Sequence, residues 1–147
     1  MTDAKPLFID TNTLVYANVQ ESPFHAPALA TLQIAYESGR ALWISRQVLQ
    51  EYLVTMTQPQ AFATLDKATV LEQAEQFSQQ FQVADETAAV TPQLLNLIQQ
   101  HALGGKQVHD ANIVATMQAY NIPCLLTHNT ADFKRFNTLI DIEGINT

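Results

Sequence analysis

Four acids carry the chemical potential of this chain: Asp10, Glu51, Asp110 and Asp132. Asp10 ends the apolar run Leu7-Phe8-Ile9-Asp10, and Glu51 lies within Val48-Leu49-Gln50-Glu51-Tyr52-Leu53. Asp110 opens Asp110-Ala111-Asn112-Ile113-Val114-Ala115, and Asp132 follows a second apolar run, Leu125-Leu126-Thr127-His128-Asn129-Thr130-Ala131-Asp132-Phe133. Carboxylates gathered at one point repel each other, so a fold keeps such a cluster only where a divalent cation or bound protons relieve the charge. An all-oxygen donor set suits Mg²⁺ or Mn²⁺, hard ions that retain several waters. An ion held this way can polarise a phosphodiester, orient a water and lower its pKa, and a second ion about 4 Å away would stabilise the leaving oxygen. Zinc would call for histidine. His25, His101, His109 and His128 show no ligand spacing and read as surface or core.

Each acid also has a plain structural reading. Asp10 suits an N-cap or Asx-turn, although Thr11, Asn12 and Thr13 offer the same service. Glu51 falls at the edge of a helical stripe formed by Val48, Leu49, Tyr52, Leu53 and Met56, so it faces either a cleft or water. Asp110 has Ile113, Val114 and Met117 as its helical neighbours and therefore points with the apolar face, although a charge aimed at its own helix N-terminus is favoured too. Asn129-x-x-Asp132 has the spacing of a capping box. Thr127 and Asn129 are polar groups beyond the same strand end, placed to position water or metal.

The elements that must position these groups alternate. Strands are expected at Leu7–Asp10, Ala41–Ser45, Phe81–Ala84, Pro123–Thr127 and Leu139–Ile142. Helices are expected from near Asn12 through Ala17, from Pro23 to Ser38 with a stop at Gly39, and from Arg46 to Met56 with Pro59 marking the exit. Further helices run from an Asp66 cap to about Phe81, from a Thr91 cap with Pro92 at its first position to Gly104-Gly105, and from about Val108 to Tyr120. Tyr52, Phe62, Phe77 and Phe81 read as core or interface. Short apolar strands between helices imply a parallel sheet covered on both faces, with ligands beyond the carboxyl ends of strands, where Asp10 and Asp132 fall.

The bulk numbers agree with a single domain over residues 1–147: 47% of the residues are hydrophobic and 14% charged, as in a globular core. No apolar stretch approaches the roughly 18 residues of a membrane span, and Met1-Thr2-Asp3-Ala4-Lys5-Pro6 lacks a signal-peptide pattern. The single cysteine, Cys124, is expected to be a buried thiol, and nothing demands an oxidising compartment, so cytoplasm is the expectation. A net charge of −7 argues against a general nucleic-acid coat but leaves room for an enzyme that holds nucleic acid locally. Arg46, Lys106, Lys134 and Arg135 lie near the acids in sequence and are the candidates for phosphate contact; solvated surface charge is the other reading. Gly104-Gly105-Lys106 lacks the phosphate-loop pattern.

On Phe8-Ile9-Asp10-Thr11-Asn12, Val48-Leu49-Gln50-Glu51, His109-Asp110-Ala111 and Leu126-Thr127-His128-Asn129 with Asp132-Phe133, the chain resembles the PIN-domain family, especially the VapC-like ribonuclease toxins of bacterial toxin–antitoxin pairs. The resemblance covers nearly the whole chain. It implies a three-layer α/β/α sandwich around a mainly parallel sheet. It implies Mg²⁺ or Mn²⁺ held by acids matching Asp10, Glu51, Asp110 and Asp132, with Asn12, Thr127 and Asn129 as polar support, and hydrolysis of RNA. By resemblance, Asp10 and Asp110 are the leading metal ligands, Glu51 binds metal or water, and Asp132 completes the cluster. A homodimer and a small inhibitory antitoxin are further implications.

Two other classes stay open on sequence. Asp10-Thr11-Asn12-Thr13 resembles the Asp-x-Asp-x-Thr motif of haloacid-dehalogenase phosphatases, with Asp10 as nucleophile, but Asn12 replaces the general acid and no lysine partner is evident. A non-catalytic module docking a basic peptide on the acids is the other.

Overall fold

The computed structural model describes residues 4–58 and 65–145; Pro59 and Phe62 lie outside them. Five strands, β1 (Leu7–Ile9), β2 (Leu42–Ser45), β3 (Gln82–Ala84), β4 (Cys124–Leu126) and β5 (Asp141–Glu143), form one sheet in the order β3-β2-β1-β4-β5. Every pairing is parallel, with Leu7 opposite both Leu42 and Cys124. The two central strands β1 and β4 are buried throughout, which is why they read as unbroken apolar runs rather than alternating ones.

The helices are α1 (Thr11–Asn18), α2 (His25–Glu37), α3 (Arg46–Met56), α4 (Lys67–Gln80), α5 (Val90–Gln100) and α6 (Gln107–Ala119), with a 3₁₀ segment at Thr130–Phe136. Right-handed crossovers determine their sides. From β1 to β2 to β3 the chain steps outward one way, so α1 to α4 share a face; from β3 to β4 to β5 it steps the other way, so α5, α6 and the 3₁₀ segment cover the opposite face. The packing agrees: α1 meets α2 and α3, α3 meets α4, and α6 meets α5 and the 3₁₀ segment. This is the α/β/α sandwich expected from the sequence. The direction reverses between β1 and β4, and in open α/β sheets that switch point is where a crevice opens.

Local chemistry explains most boundaries. The Ser45 and Asp66 side chains accept from Val48 N–H and Thr69 N–H and so cap α3 and α4. Gly39, at φ 79°, ends α2 where a side chain would be strained. Tyr52 and Phe77 meet edge to face at 4.9 Å between the first-face helices. Cys124 is buried, as expected.

Two expectations need correction. Thr91 does not cap α5, which starts at Val90. The chain has already turned at Thr87, whose carbonyl accepts from Val90 N–H and whose hydroxyl accepts from Ala89 N–H. Pro92 still lies in the first turn, where its missing N–H costs nothing. The same helix ends at Gln100, four residues short of Gly104, because His101 is already extended at φ −122° and ψ 143°.

At the far end of the sheet, Arg40 clamps the edge strand. Its two terminal nitrogens donate to the Glu143 carboxylate at 2.9 and 2.8 Å, and its Nε donates to the Lys5 carbonyl. Arg40 holds the Glu143 carboxyl below its ordinary pKa, chiefly through these hydrogen bonds. Such a carboxylate contributes stability above the unfolded pKa, and the contribution fades as pH falls through the folded one. Glu143 is 37% exposed, so water screens the pair. Arg40→Met is expected to cost about 1 kcal/mol at pH 7 by urea titration. The difference from wild type should shrink as the pH falls below the ordinary carboxylate range; an equal loss at pH 3 and pH 7 would assign the cost to packing.

Candidate active site

A cleft of about 710 Å³ opens over the switch point, and Asp10, Glu51 and Asp110 all line it. Asp10 follows β1 directly and begins α1, extended at φ −73° and ψ 155°. Its Oδ1 accepts from Thr11 N–H at 2.8 Å; its Oδ2 accepts from the Thr127 hydroxyl at 2.8 Å and the Asn12 amide at 3.4 Å. Thr127, fully buried beyond β4, also accepts from Asn12 at 3.2 Å and from Asn129 N–H at 3.1 Å. Asn12 Oδ1 accepts from His128 N–H at 3.1 Å. Asn12 and Thr127 thus lash the ends of the two central strands together and fix the Asp10 carboxylate between them. Among the described residues no buried side-chain nitrogen or oxygen lacks a partner.

Glu51 reaches the cleft from α3. Its Oε1 accepts from the Thr11 hydroxyl at 2.9 Å and its Oε2 from the Gln47 amide at 3.3 Å. Asp110, half-buried in the first turn of α6, receives no hydrogen bond among the described residues. Asp132 lies in the 3₁₀ segment, exposed, at the rim rather than in the cleft wall. No side-chain cap joins Asn129 to Asp132, although Asp132 N–H donates to the Asn129 carbonyl, so the capping-box alternative is not formed. Asn129 itself lines the cleft.

The electrostatics are those of crowded acids. Burial pushes the Asp10 carboxyl up to about 6; hydrogen bonds from Thr127 and Thr11 oppose the shift, and the charges of Glu51 and Asp132 add to it. The Asp110 carboxyl is also pushed up to about 6, first by burial, then by the charges of Asp10, Asp132 and Glu51, with His109 acting the other way. Asp10 and Asp110 therefore both feel the charges of Glu51 and Asp132, and Asp110 feels that of Asp10 as well.

The expected cations stand elsewhere. Among the described residues no lysine or arginine lines this cleft. Arg46 pairs with Asp85 at 2.9 Å and lines a neighbouring groove. Arg135 donates to the Ala102 carbonyl at 3.3 Å, and Lys106 and Lys134 are exposed. His128 packs on Phe24 and Tyr16, His101 packs on Phe136, His25 Nδ1 lies 2.9 Å from the Tyr16 carbonyl oxygen, and His109 sits exposed on the cleft wall. Thr11, Gln47 and the apolar wall of Val15, Tyr16 and Val54 were not foreseen. Gln47 carried one usable signal: it lies four residues before Glu51 on the same helix face.

No three His, Cys, Asp or Glu side chains among the described residues are gathered closely enough to hold one ion jointly. The donor set fits a magnesium-like ion all the same, because such ions are commonly held by one or two carboxylates and keep most of their waters. Asp10 and Asp110 supply two hard oxygen donors whose mutual repulsion a cation would remove, and Glu51 has both oxygens engaged by donors.

The family model for the PIN domain matches residues 7–139. Similar solved structures include VapBC2 from Rickettsia felis bound to a DNA fragment from their promoter, at 20% identity, 95% coverage of this chain, 98% of that one and a TM-score of 0.67. DNA-bound VapBC from Salmonella typhimurium matches at 18% identity, with 97% and 99% coverage and a TM-score of 0.69. VapC20 from Mycobacterium tuberculosis, a sarcin-ricin loop cleaving toxin, matches at 20% identity, with 81% and 86% coverage and a TM-score of 0.61. Comparison with curated proteins finds no significant match. With the family pattern running from β1 through β4 and the fold shared along nearly the whole chain, the chain belongs to the PIN domain family.

Proposed function

We propose that this chain is a Mg²⁺- or Mn²⁺-dependent endoribonuclease and the toxin of a toxin–antitoxin pair. One observation carries the reading: Asp10 and Asp110, 100 residues apart in sequence, line one cleft at the switch point, each with its carboxyl raised by burial and by the other acids. Membership of the PIN family supports nuclease chemistry, and the relatives solved as VapBC pairs support the antitoxin.

Asp10 and Asp110 would hold the ion, which when bound would polarise a phosphodiester and acidify the attacking water. Asn12 and Thr127 keep Asp10 aimed into the cleft. Thr11 and Gln47 fix Glu51, which would orient the water or take its proton. Asp132 adds negative charge at the entrance, and Asn129 offers a polar contact beside Asp10. A homodimer and an antitoxin would find apolar surface on α2, where Leu29, Ile34 and Tyr36 are exposed, and beside the cleft at Val54. One domain spanning 1–147 and a cytoplasmic location complete the reading; among the described residues no helix is long and apolar enough to cross a membrane. Nothing in the cleft favours an aspartyl phosphatase: Asn12 is committed to Thr127 and His128, and no described lysine approaches.

Purified protein free of any co-purifying inhibitor, incubated with mixed cellular RNA, is expected to give discrete cuts with Mn²⁺ or Mg²⁺ and none with EDTA. Intact RNA under all conditions, from folded protein, would overturn the proposal.

A further inference from the structure

The cleft does not end at the acids. At Gln47, Gln50 and His109, which line both spaces, it continues into a second groove of about 520 Å³, a volume typical of small-ligand sites. Half-buried Leu94 and Val108 give this groove apolar surface. Its polar edge carries one carboxylate, Glu86, with the amides of Gln47, Gln50 and Asn112 and, paired to Asp85, the Arg46 guanidinium. The Asn112 amide donates to Gln47 Oε1 at 2.7 Å and to Glu86 Oε1 at 2.8 Å; Asn112 Oδ1 and Glu86 Oε2 receive no donor among the described residues, and Glu86 Oε1 keeps a second lone pair. Gln50, exposed at the junction of the two spaces, makes no side-chain hydrogen bond among them either.

The segment that carries Glu86 is held in place. The Tyr120 hydroxyl accepts from Asp85 N–H and donates to the Asp85 carbonyl, both at 3.0 Å, and Arg46 pairs with the Asp85 carboxylate. The Glu86 carboxylate, held by Asn112 on an anchored segment, is therefore partly arranged before anything binds, which lowers the entropic cost of binding.

Apolar surface bordered by acceptors recognises a flat ring with donors on its edge. Among the RNA bases only guanine presents two adjacent donors, N1–H and N2–H₂, to a single carboxylate; adenine and cytosine present one amino group, and uracil one imide N–H. That edge is free only in an unpaired base, the form in which RNA sequence is usually read. We propose that this groove receives an unpaired guanine next to the scissile phosphate, with Glu86 accepting from N1–H and N2–H₂ and Gln50 contacting the base or its sugar. The proposal rests on the ribonuclease reading above and adds its substrate class.

The test is to sequence the cut sites that the manganese-loaded full chain makes in a random single-stranded RNA library, for wild type, Glu86→Gln and Gln50→Ala. Both side chains are exposed, so folding should persist. Wild type should enrich guanine at one fixed position beside the cut by about tenfold or more, the discrimination a good bidentate pair provides. Glu86→Gln should bring that position near parity and leave other positions unchanged, since an amide places a donor where the carboxylate accepted; Gln50→Ala should weaken the same enrichment. Cutting without a guanine preference, or a preference unchanged in Glu86→Gln, would overturn the pocket and leave the nuclease standing. No cutting by wild type would overturn both.

Discussion

Asp10→Asn is expected to lower metal-dependent RNA cleavage by at least about 100-fold, the upper end of what is lost when a group one shell further from a metal is removed. The expectation follows from position. Asp10 is 8% exposed, lies where the sheet reverses direction, and is held by donors from Thr11, Asn12 and Thr127. Asparagine keeps the Oδ1 that accepts from Thr11 but presents an amide where Thr127 and Asn12 donate, and it removes one of the two charges proposed to hold the ion. Asp110→Asn should lose activity to a similar degree. Asp132→Asn, changed at the exposed rim, should lose less. Single-turnover rates on one RNA at saturating Mn²⁺, with folding checked by circular dichroism, would order the three. Full activity in Asp10→Asn would sink the proposed site, and a loss in Asp132→Asn larger than in Asp10→Asn would place the ion nearer the rim.

The path from sequence to this cleft was uneven, for physical reasons. The order of short apolar runs and amphipathic stretches was sufficient for a parallel sheet with two helical layers, because β1 and β4 are buried on both faces and carry no polar residue to blur them. The capping side chain at Asp66 and the turn at Gly39 announced themselves by type, whereas Ser45, read only as the end of a strand, also caps α3. The α5 boundary did not, because Thr91-Pro92 looks like a helix start whether the turn begins there or at Thr87. Asp10 stood out because an acid at the end of a buried strand is rare, and Asp110 because its helical neighbours are apolar. The donors that fix these acids carry no such mark. Thr11 and Gln47 are ordinary residues whose roles arise only when α1, α3 and α6 are docked, and the Asn12–Thr127 bond spans 115 residues. The candidate cations were legible only as types: proximity in sequence to an acid says nothing about which wall of a cleft a long exposed side chain occupies, and Arg46 pairs with Asp85 and lines the adjoining groove rather than the acids' own cleft.

Burial of Asp10, with the neighbouring acids adding to it, makes a second large effect, on stability rather than rate. A carboxyl whose folded pKa is raised stabilises the protein fully below its unfolded pKa, and that contribution is lost as pH rises through the folded value. For Asp10 the window runs from the ordinary 3.8 to about 6. A shift of two units on a buried group corresponds to roughly 2–3 kcal/mol. Asp110 shifts in the same direction but is half-buried, so solvent reduces its share. Other carboxyls, Glu143 among them, act with the opposite sign, so the measurement must be a difference. In EDTA, urea titrations of wild type and Asp10→Asn should diverge as pH rises from 4 to 8. The variant should gain about 2 kcal/mol relative to wild type across that range, less whatever the lost Thr127 hydrogen bond costs at every pH. Mn²⁺ at 100 times its Kd should then stabilise wild type by about 2.7 kcal/mol at pH 8 and the variant by much less. Parallel pH profiles in EDTA would mean that Asp10 is solvated well enough to stay ionised without help. Equal stabilisation of both proteins by Mn²⁺ would mean that the ion binds elsewhere. The joint outcome, divergence in EDTA and recovery of wild type alone in Mn²⁺, would tie the cost of the buried charge and the ion to the same carboxylate.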